Sequence, residues 1–519
     1  MKRKILAMAL AGILAAGALS GCGPEKTNVS NGETKTFTYW TELNAAVSAS
    51  MQSLGEVAMF QELEKRTGIH IDFIHPPTGQ AAEQFSLLIA SRDLPDMISY
   101  SWTTYPGGPD KAIDDNVIVA LNEYVNSDTP NFKNWATQDI YAKALKTDSG
   151  KYFGFPAINL GNARVFGGLC LRGDWLKELN LPVPETIAEW DTVLRAFKEK
   201  KGATAALTGD IFSITNRDGF NSGFDVGNRL YIDDGKVKYG PAEPGYKDLL
   251  AQLHTWYADG IFDNDYPTNN TSIMDAKITS GDSGAKFCYV GGDVGRYMKL
   301  MEDKDPNYEL VAAPYPSPEK GKAPRFMSGE YDVQPPFLAI TTACKDVKTA
   351  AKWVDNFYSE EGRMLVNFGI EGDTYTMVDG KPVYTDKILH NPNGLSVAEA
   401  IAQNCQATYP TTGLKQDVDY LTQYYNYPQQ VEAFQLWSKD VETASKTMRP
   451  LLTPTLEESE EAAALDTEIG TYVEEMILKF VQGVEPMSNY DAFVANLKKL
   501  GLDRYLELQQ IAYERYLAR

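Results

Sequence analysis

Apolar and polar positions fall into two recurring periods along the chain. Thr36-Phe37-Thr38-Tyr39-Trp40 is β-branched and aromatic and stops at the polar stretch Thr41-Glu42-Leu43-Asn44, which predicts a first strand. Val57, Phe60 and Leu63 then follow a helical spacing that ends at Lys65-Arg66-Thr67-Gly68. Residues 69–74 read as a second strand, Gln84–Ala90 as a second helix and Leu94–Tyr100 as a third strand. Strand-helix alternation of this kind predicts parallel βαβ units, whose ligands meet the loops beyond the strand C-termini. Those loops are Trp40–Asn44 and Tyr100–Gly108, and both are aromatic.

The same grammar returns after Gly150. Trp175–Leu179 reads as a short helix, and Ile187–Lys200 places Trp190, Val193, Leu194 and Phe197 on one apolar face. Lys286–Val290 reads as a strand ending at Gly291-Gly292-Asp293, and Phe337–Thr341 as another, followed by a helix holding Ala351, Trp353, Val354 and Phe357. Near the end, Ile469, Tyr472, Val473, Met476, Ile477 and Phe480 form one helical stripe. No repeat of 20–50 residues appears, which excludes solenoids and propellers.

The first 22 residues break this pattern. Lys2, Arg3 and Lys4 precede an apolar run from Ile5 to Leu19, too short to span a membrane comfortably, which ends at Leu19-Ser20-Gly21-Cys22. A secretory signal over residues 1–21 is the expectation. Leu-Ser-Gly-Cys resembles the lipobox of bacterial lipoproteins, which implies acylation of the Cys22 thiol and anchoring on a membrane outer face. Residues 22–35 then form a polar, flexible tether. No later stretch reaches 18 apolar residues.

Composition narrows the function. The 519 residues carry 49 Lys+Arg against 70 Asp+Glu, a net charge of -21 that disfavours nucleic acid as a partner. Loss of the signal removes three cations and no anions, leaving 498 residues at -24. Four His leave little material for histidine metal sites or catalysis. Cys170, Cys288, Cys344 and Cys405 are widely spaced, without CxxC, and read as buried thiols.

Further phrases carry a likeness to a family. Ile89–Ile98, with Leu94-Pro95-Asp96, looks like the strand entry of the extracellular solute-binding lipoproteins of bacterial ABC importers. Leu171-Arg172-Gly173-Asp174-Trp175-Leu176, with Pro184-Glu185-Thr186 and Glu189-Trp190, is similar to the segment opening their second lobe. Phe368–Tyr375 and the stretch from Tyr490-Asp491 to Tyr516 resemble the long, oligosaccharide-binding branch of the sugar-binding (family 1) group. The resemblance implies an α/β, periplasmic-binding-protein-like fold of type II, with two lobes, a hinged cleft and a helical C-terminal region. It places the first lobe at 36–155 plus 335–375 and the second at 156–334 plus 376–519. Crossings are expected near Phe155–Ala157, Gln334–Phe337 and Glu371–Tyr375. It implies a carbohydrate ligand, a membrane permease as partner and a monomeric receptor without a cofactor. Close relatives often carry a calcium loop after the helix equivalent to Trp190–Lys200. Lys198–Ala206 lacks the carboxylate ladder calcium needs, so no metal is expected.

A neutral sugar needs flat rings for its CH faces and polar groups for its hydroxyls. Candidates on the expected loops are Trp40, Glu42, Asn44, Tyr100, Trp102, Tyr105, Arg164, Asp293 and Tyr331, led by Trp40 and Trp102. Asp293 equally fits an N-cap for a helix starting at Val294. An enzyme is not expected. Gly281-Asp282-Ser283-Gly284 resembles a serine-protease motif, but that chemistry needs a His base in an antiparallel barrel, which the strand-helix alternation contradicts. The alternatives are the same importer role for a peptide or anion, and a secreted carbohydrate-active enzyme using two placed carboxylates.

Overall fold

The protein was analysed as a computed structural model, which describes residues 35–519 apart from 161–163, 212, 214–216, 408, 410, 416 and 417. The leader, Cys22 and all of the tether but Lys35 lie outside the described residues.

Thirteen strands are described: β1 (Lys35–Trp40), β2 (Ile69–Ile74), β3 (Met97–Tyr100), β4 (Phe155–Asn159), β5 (Gly167–Arg172), β6 (Leu230–Asp233), β7 (Lys236–Tyr239), β8 (Ala285–Tyr289), β9 (Leu310–Ala312), β10 (Val333–Ile340), β11 (Tyr375–Val378), β12 (Lys381–Tyr384) and β13 (Gly413–Lys415). Six of them form one sheet in the order β13-β4-β10-β3-β1-β2. The expected βαβ core is present, since β1 pairs in parallel with both β2 and β3. The crossover helices Ala58–Thr67 and Ala81–Ser91 end in left-handed residues, Gly68 and Arg92. β10 runs antiparallel between β3 and β4. Pro335 and Pro336 cannot donate to a ladder, and the register shifts across Gln334–Phe337, so this central strand tolerates them as a bulge.

The second sheet has three antiparallel strands, β8-β5-β9. Its core gathers Trp190, Val193, Leu194 and Phe197, the face expected from the Ile187–Lys201 helix, around Trp175 and Trp256. The chain passes to this sheet after β4 and returns at β10, close to the first two expected crossings.

The third expected crossing is corrected. After residue 375 the chain stays with the first sheet: the Tyr384 hydroxyl donates to Asn367 O at 2.5 Å, and β13 pairs in parallel with β4. Asn367 Nδ2 holds Leu414 O at 2.9 Å, and Gly413 lies so close to Phe357 that a Cβ would meet it at 2.8 Å. The chain turns to the second lobe only between the Val418–Tyr424 helix and the Pro428–Ser438 helix, which packs on β5 and β9.

The last three long helices are Leu456–Gln482, Tyr490–Lys499 and Leu502–Ala518. The first begins with a capping box, Thr455 with Glu458, and buries Ile469, Val473, Met476, Ile477 and Phe480 against the Pro244–Ala258 helix. Tyr472, expected on the same stripe, is half-buried. The Leu502–Ala518 helix packs on β7 and on Leu456–Gln482, but its end reaches the first lobe. There Arg515 and Arg519 pair with Asp148, and Arg519 Nη1 donates to Lys143 O at 2.9 Å and Lys146 O at 2.6 Å.

Candidate functional site

Parallel strands direct the C-terminal ends of β1 and β3 to one edge of the first lobe, where the aromatic candidates cluster. They pack on one another. Tyr100 stacks on Phe85 with centroids 3.7 Å apart, and Trp40 lies 6.2 Å from Tyr100 and 6.4 Å from Phe85. Trp40 is 3% exposed and Trp102 is fully buried, its indole N–H donating to Phe337 O at 3.1 Å. Tyr105 is buried as well: its hydroxyl donates to Asp115 at 3.0 Å, and burial together with that carboxylate pushes its pKa up to about 12. Trp40, Trp102 and Tyr105 are therefore packed into the first lobe, where Phe85 from the crossover helix lies against Trp40 and Trp102, and Tyr105 against Trp102. Glu42 is exposed, and Asn44 and Tyr100 are half-buried at the same edge.

Asp293 is engaged within the protein. Its carboxylate accepts the Tyr289 amide at 2.9 Å and pairs with Lys286 at 3.3 Å and Arg296 at 3.1 Å. It ties the end of β8 to a wide helical turn, Val290–Gly295, which continues into the Arg296–Met301 helix. Beside it Tyr289 is 39% exposed, and the Arg217 guanidinium lies 4.7 Å from its ring and 5.5 Å from Phe287.

Arg164 and Tyr331 do line open space. A cavity of about 500 Å³ has Ile140, Tyr141 and Val333 from the first lobe facing Arg164, Met448 and Tyr516. A second cavity, of about 410 Å³, adjoins it, and Tyr331 and Met448 form part of both walls. Both volumes fall within the range of small-molecule sites. Arg164 is 6% exposed; its Nη1 meets Asp332 at 2.7 Å, while its Nε has no hydrogen-bond partner among the described residues. Burial raises the Asp332 carboxyl pKa, and Arg164 only partly offsets this. The Tyr331 carbonyl accepts from Asn159 at 2.7 Å and Gln334 at 2.9 Å, which fixes the backbone where the chain returns to the first lobe.

Rings beside a buried guanidinium and carboxylates suit a polyhydroxylated solute: rings for CH faces, charged groups for hydroxyls. The sequence offered no signal for Tyr141, Met448 or Tyr516, which come from segments far apart in the chain. Among the described residues no group of three or more His, Cys, Asp or Glu is placed to hold a metal ion, and the four described cysteines are buried and free. No helix among the described residues is long and apolar enough to cross a membrane.

Comparison with known proteins agrees with this architecture. Residues 48–364 match the family model described as bacterial extracellular solute-binding protein. The chain is 23% identical over 517 residues to the fructooligosaccharide ABC transporter substrate-binding protein FusA of Streptococcus pneumoniae serotype 4 (strain ATCC BAA-334 / TIGR4), covering 94% of this chain and 91% of that one. It is 24% identical over 419 residues to lipoprotein LipO of Bacillus subtilis (strain 168), covering 78% and 79%. The crystal structure of alginate-binding protein AlgQ2 without calcium ion superposes with a TM-score of 0.71 at 24% identity, covering 93% of this chain and 98% of that one. The fold is periplasmic-binding-protein-like.

Proposed function

Since the chain belongs to the bacterial extracellular solute-binding proteins, we propose that it captures an oligosaccharide between its lobes and hands it to an ABC permease. It does so from the outer face of the membrane, held by acyl chains on Cys22, and takes no part in bond breaking. The observation that carries this reading is the cavity of about 500 Å³ at the lobe junction, where Tyr141, Tyr331 and Tyr516 stand beside the buried Arg164 and its half-buried partner Asp332. Likeness to a fructooligosaccharide ABC transporter substrate-binding protein and to an alginate-binding protein supports a carbohydrate as the solute. Closure is a hinge motion, and a solute touching both lobes shifts the population toward the closed form.

A melting-temperature screen against mono- and oligosaccharides, peptides and anions tests the solute class, because a ligand that binds only the folded state raises the melting point. The expected result is a shift with oligosaccharides alone. Shifts with peptides or anions and none with sugars would leave an importer receptor for a different solute. Metabolic labelling with a radioactive fatty acid tests the anchor: label is expected in the wild type and absent in Cys22→Ser.

A further inference from the structure

The cavity of about 410 Å³ lies within the second lobe, between the β6–β7 hairpin, the 326–331 strand entry and the helices that hold Asp466 and Tyr505. Rings of Tyr231, Tyr239 and Phe326 line it, and Tyr231 and Phe326 meet edge to face at 5.1 Å. We propose that this cavity is a subsite for one unit of a neutral oligosaccharide, with Asp218 accepting hydrogen bonds from its hydroxyls. The proposal rests on the reading of the chain as a carbohydrate receptor and adds to it the place and chemical class of one bound unit.

Three observations carry it. The first is continuity: Tyr331 and Met448 wall both this cavity and the one at the lobe junction, so one extended chain can occupy both. The second is the state of Asp218. Among the described residues its carboxylate accepts one hydrogen bond, from Asn228 N at 3.1 Å, although a carboxylate has about four acceptor sites. Burial pushes its pKa up to about 7 against that bond. Asparagine has the same shape without this penalty, so an acid here costs stability in the empty protein, as functional groups commonly do. The third is the balance of the other charges. Arg229 is engaged by Glu474 at 2.6 Å and Arg449 by Gln509 at 2.8 Å, while Asp466 accepts the Tyr505 hydroxyl at 2.8 Å. With Arg229 paired to Glu474, the two carboxylates face one remaining guanidinium, Arg449, whose partner Gln509 is neutral; the lining carries no excess of positive charge to hold an anionic sugar acid and offers acceptors to hydroxyl donors.

Calorimetry on the full chain, extracted in detergent, tests this with nystose, maltotetraose, cellotetraose and tetragalacturonate as probes. The expected result is that a neutral tetrasaccharide binds, tetragalacturonate does not, and Asp218→Asn weakens the neutral sugar about tenfold, the loss of one charge-assisted hydrogen bond (about 1.4 kcal/mol). The variant's melting temperature, equal to wild type at pH 4 and above it at pH 8, reports that it folds and that the acid was strained. Unchanged affinity in Asp218→Asn overturns the subsite and leaves the carbohydrate reading intact. Binding of tetragalacturonate alone overturns the neutral-sugar assignment and again leaves that reading. Binding of none of the four overturns both.

Discussion

Arg519 and Asp148 join the end of the last helix to a loop of the first lobe, with Nε 2.8 Å from Oδ1 and the arginine side chain only 2% exposed. The same aspartate takes Arg515 Nε on its other oxygen at 2.8 Å, and Arg519 also donates to Thr453. Arginine suits this place because its planar fork satisfies a carboxylate and two carbonyls at once.

Removing the acid should therefore cost more than an ordinary surface pair. Asp148→Ala strands a buried guanidinium, and a loss of about 3 kcal/mol is expected in a denaturant titration. A double-mutant cycle of Asp148→Ala with Arg519→Met should give a coupling above ~1 kcal/mol. Additive effects would mean that the contact contributes nothing.

Lys277 is a half-buried cation held by a buried acid. Its Nζ lies 2.8 and 2.7 Å from the two oxygens of Asp263 and 3.1 Å from Asp265, with Asp263 nearly inaccessible. Burial alone would raise the Asp263 pKa, but Lys277 and the hydrogen bonds from Thr208 and Asn269 hold it below the ordinary value. Lys277→Met should destabilise the fold by about 3 kcal/mol at pH 7. The deficit should shrink as pH falls through the range where the carboxylate protonates, which melting curves at pH 7 and pH 4 would register.

Two histidines on β2 and just beyond it should pull stability in opposite directions. The His75 ring meets Thr41 O at 2.8 Å through Nδ1 and accepts the Leu54 amide at 3.2 Å through Nε2, so it is held neutral. Burial lowers its pKa despite the Thr41 carbonyl. A base with a lowered folded pKa contributes stability that is present above the unfolded value of 6.5 and lost as pH falls through the folded one. His70 is raised by its hydrogen bond to Glu64, with Asp72 adding to it, and its contribution is present below 6.5 and lost as pH rises. His75→Phe should therefore flatten the acid limb of a stability-pH curve, and His70→Gln the alkaline limb; histidine ring NMR titrations would check both directions.

Trp102→Ala should cost about 3–5 kcal/mol of stability by leaving a cavity under β3 and freeing the Phe337 carbonyl, while the affinity of the folded protein for its solute stays within twofold. A large affinity loss at full stability would return Trp102 to the binding surface.

Much of the first lobe was legible because β1, β2 and β3 are separated by helices in a regular order, the first of which ends at Gly68. β13 was not, since three residues, Gly413–Lys415, are too few to display a period, and the third crossing was misplaced with it. The burial of the aromatic candidates, expected on open loops, has a local reason. Trp102 opens a short helical turn, Trp102–Thr104, which folds the ring back under the sheet, and the pattern of a strand end does not reveal that turn. The cavity walls escaped notice because residues 140–144, 164, 331, 442–451 and 516 meet only in three dimensions.

The late departure of the chain from the first lobe bears on how the lobes can move. β13, β4 and β10 are neighbours in the first sheet, and Lys415, Asn159 and Val333 sit level at one edge, so the three links to the second lobe all start from adjacent strands. Strands gathered side by side work as one hinge line, and rotation about that line is the motion they resist least.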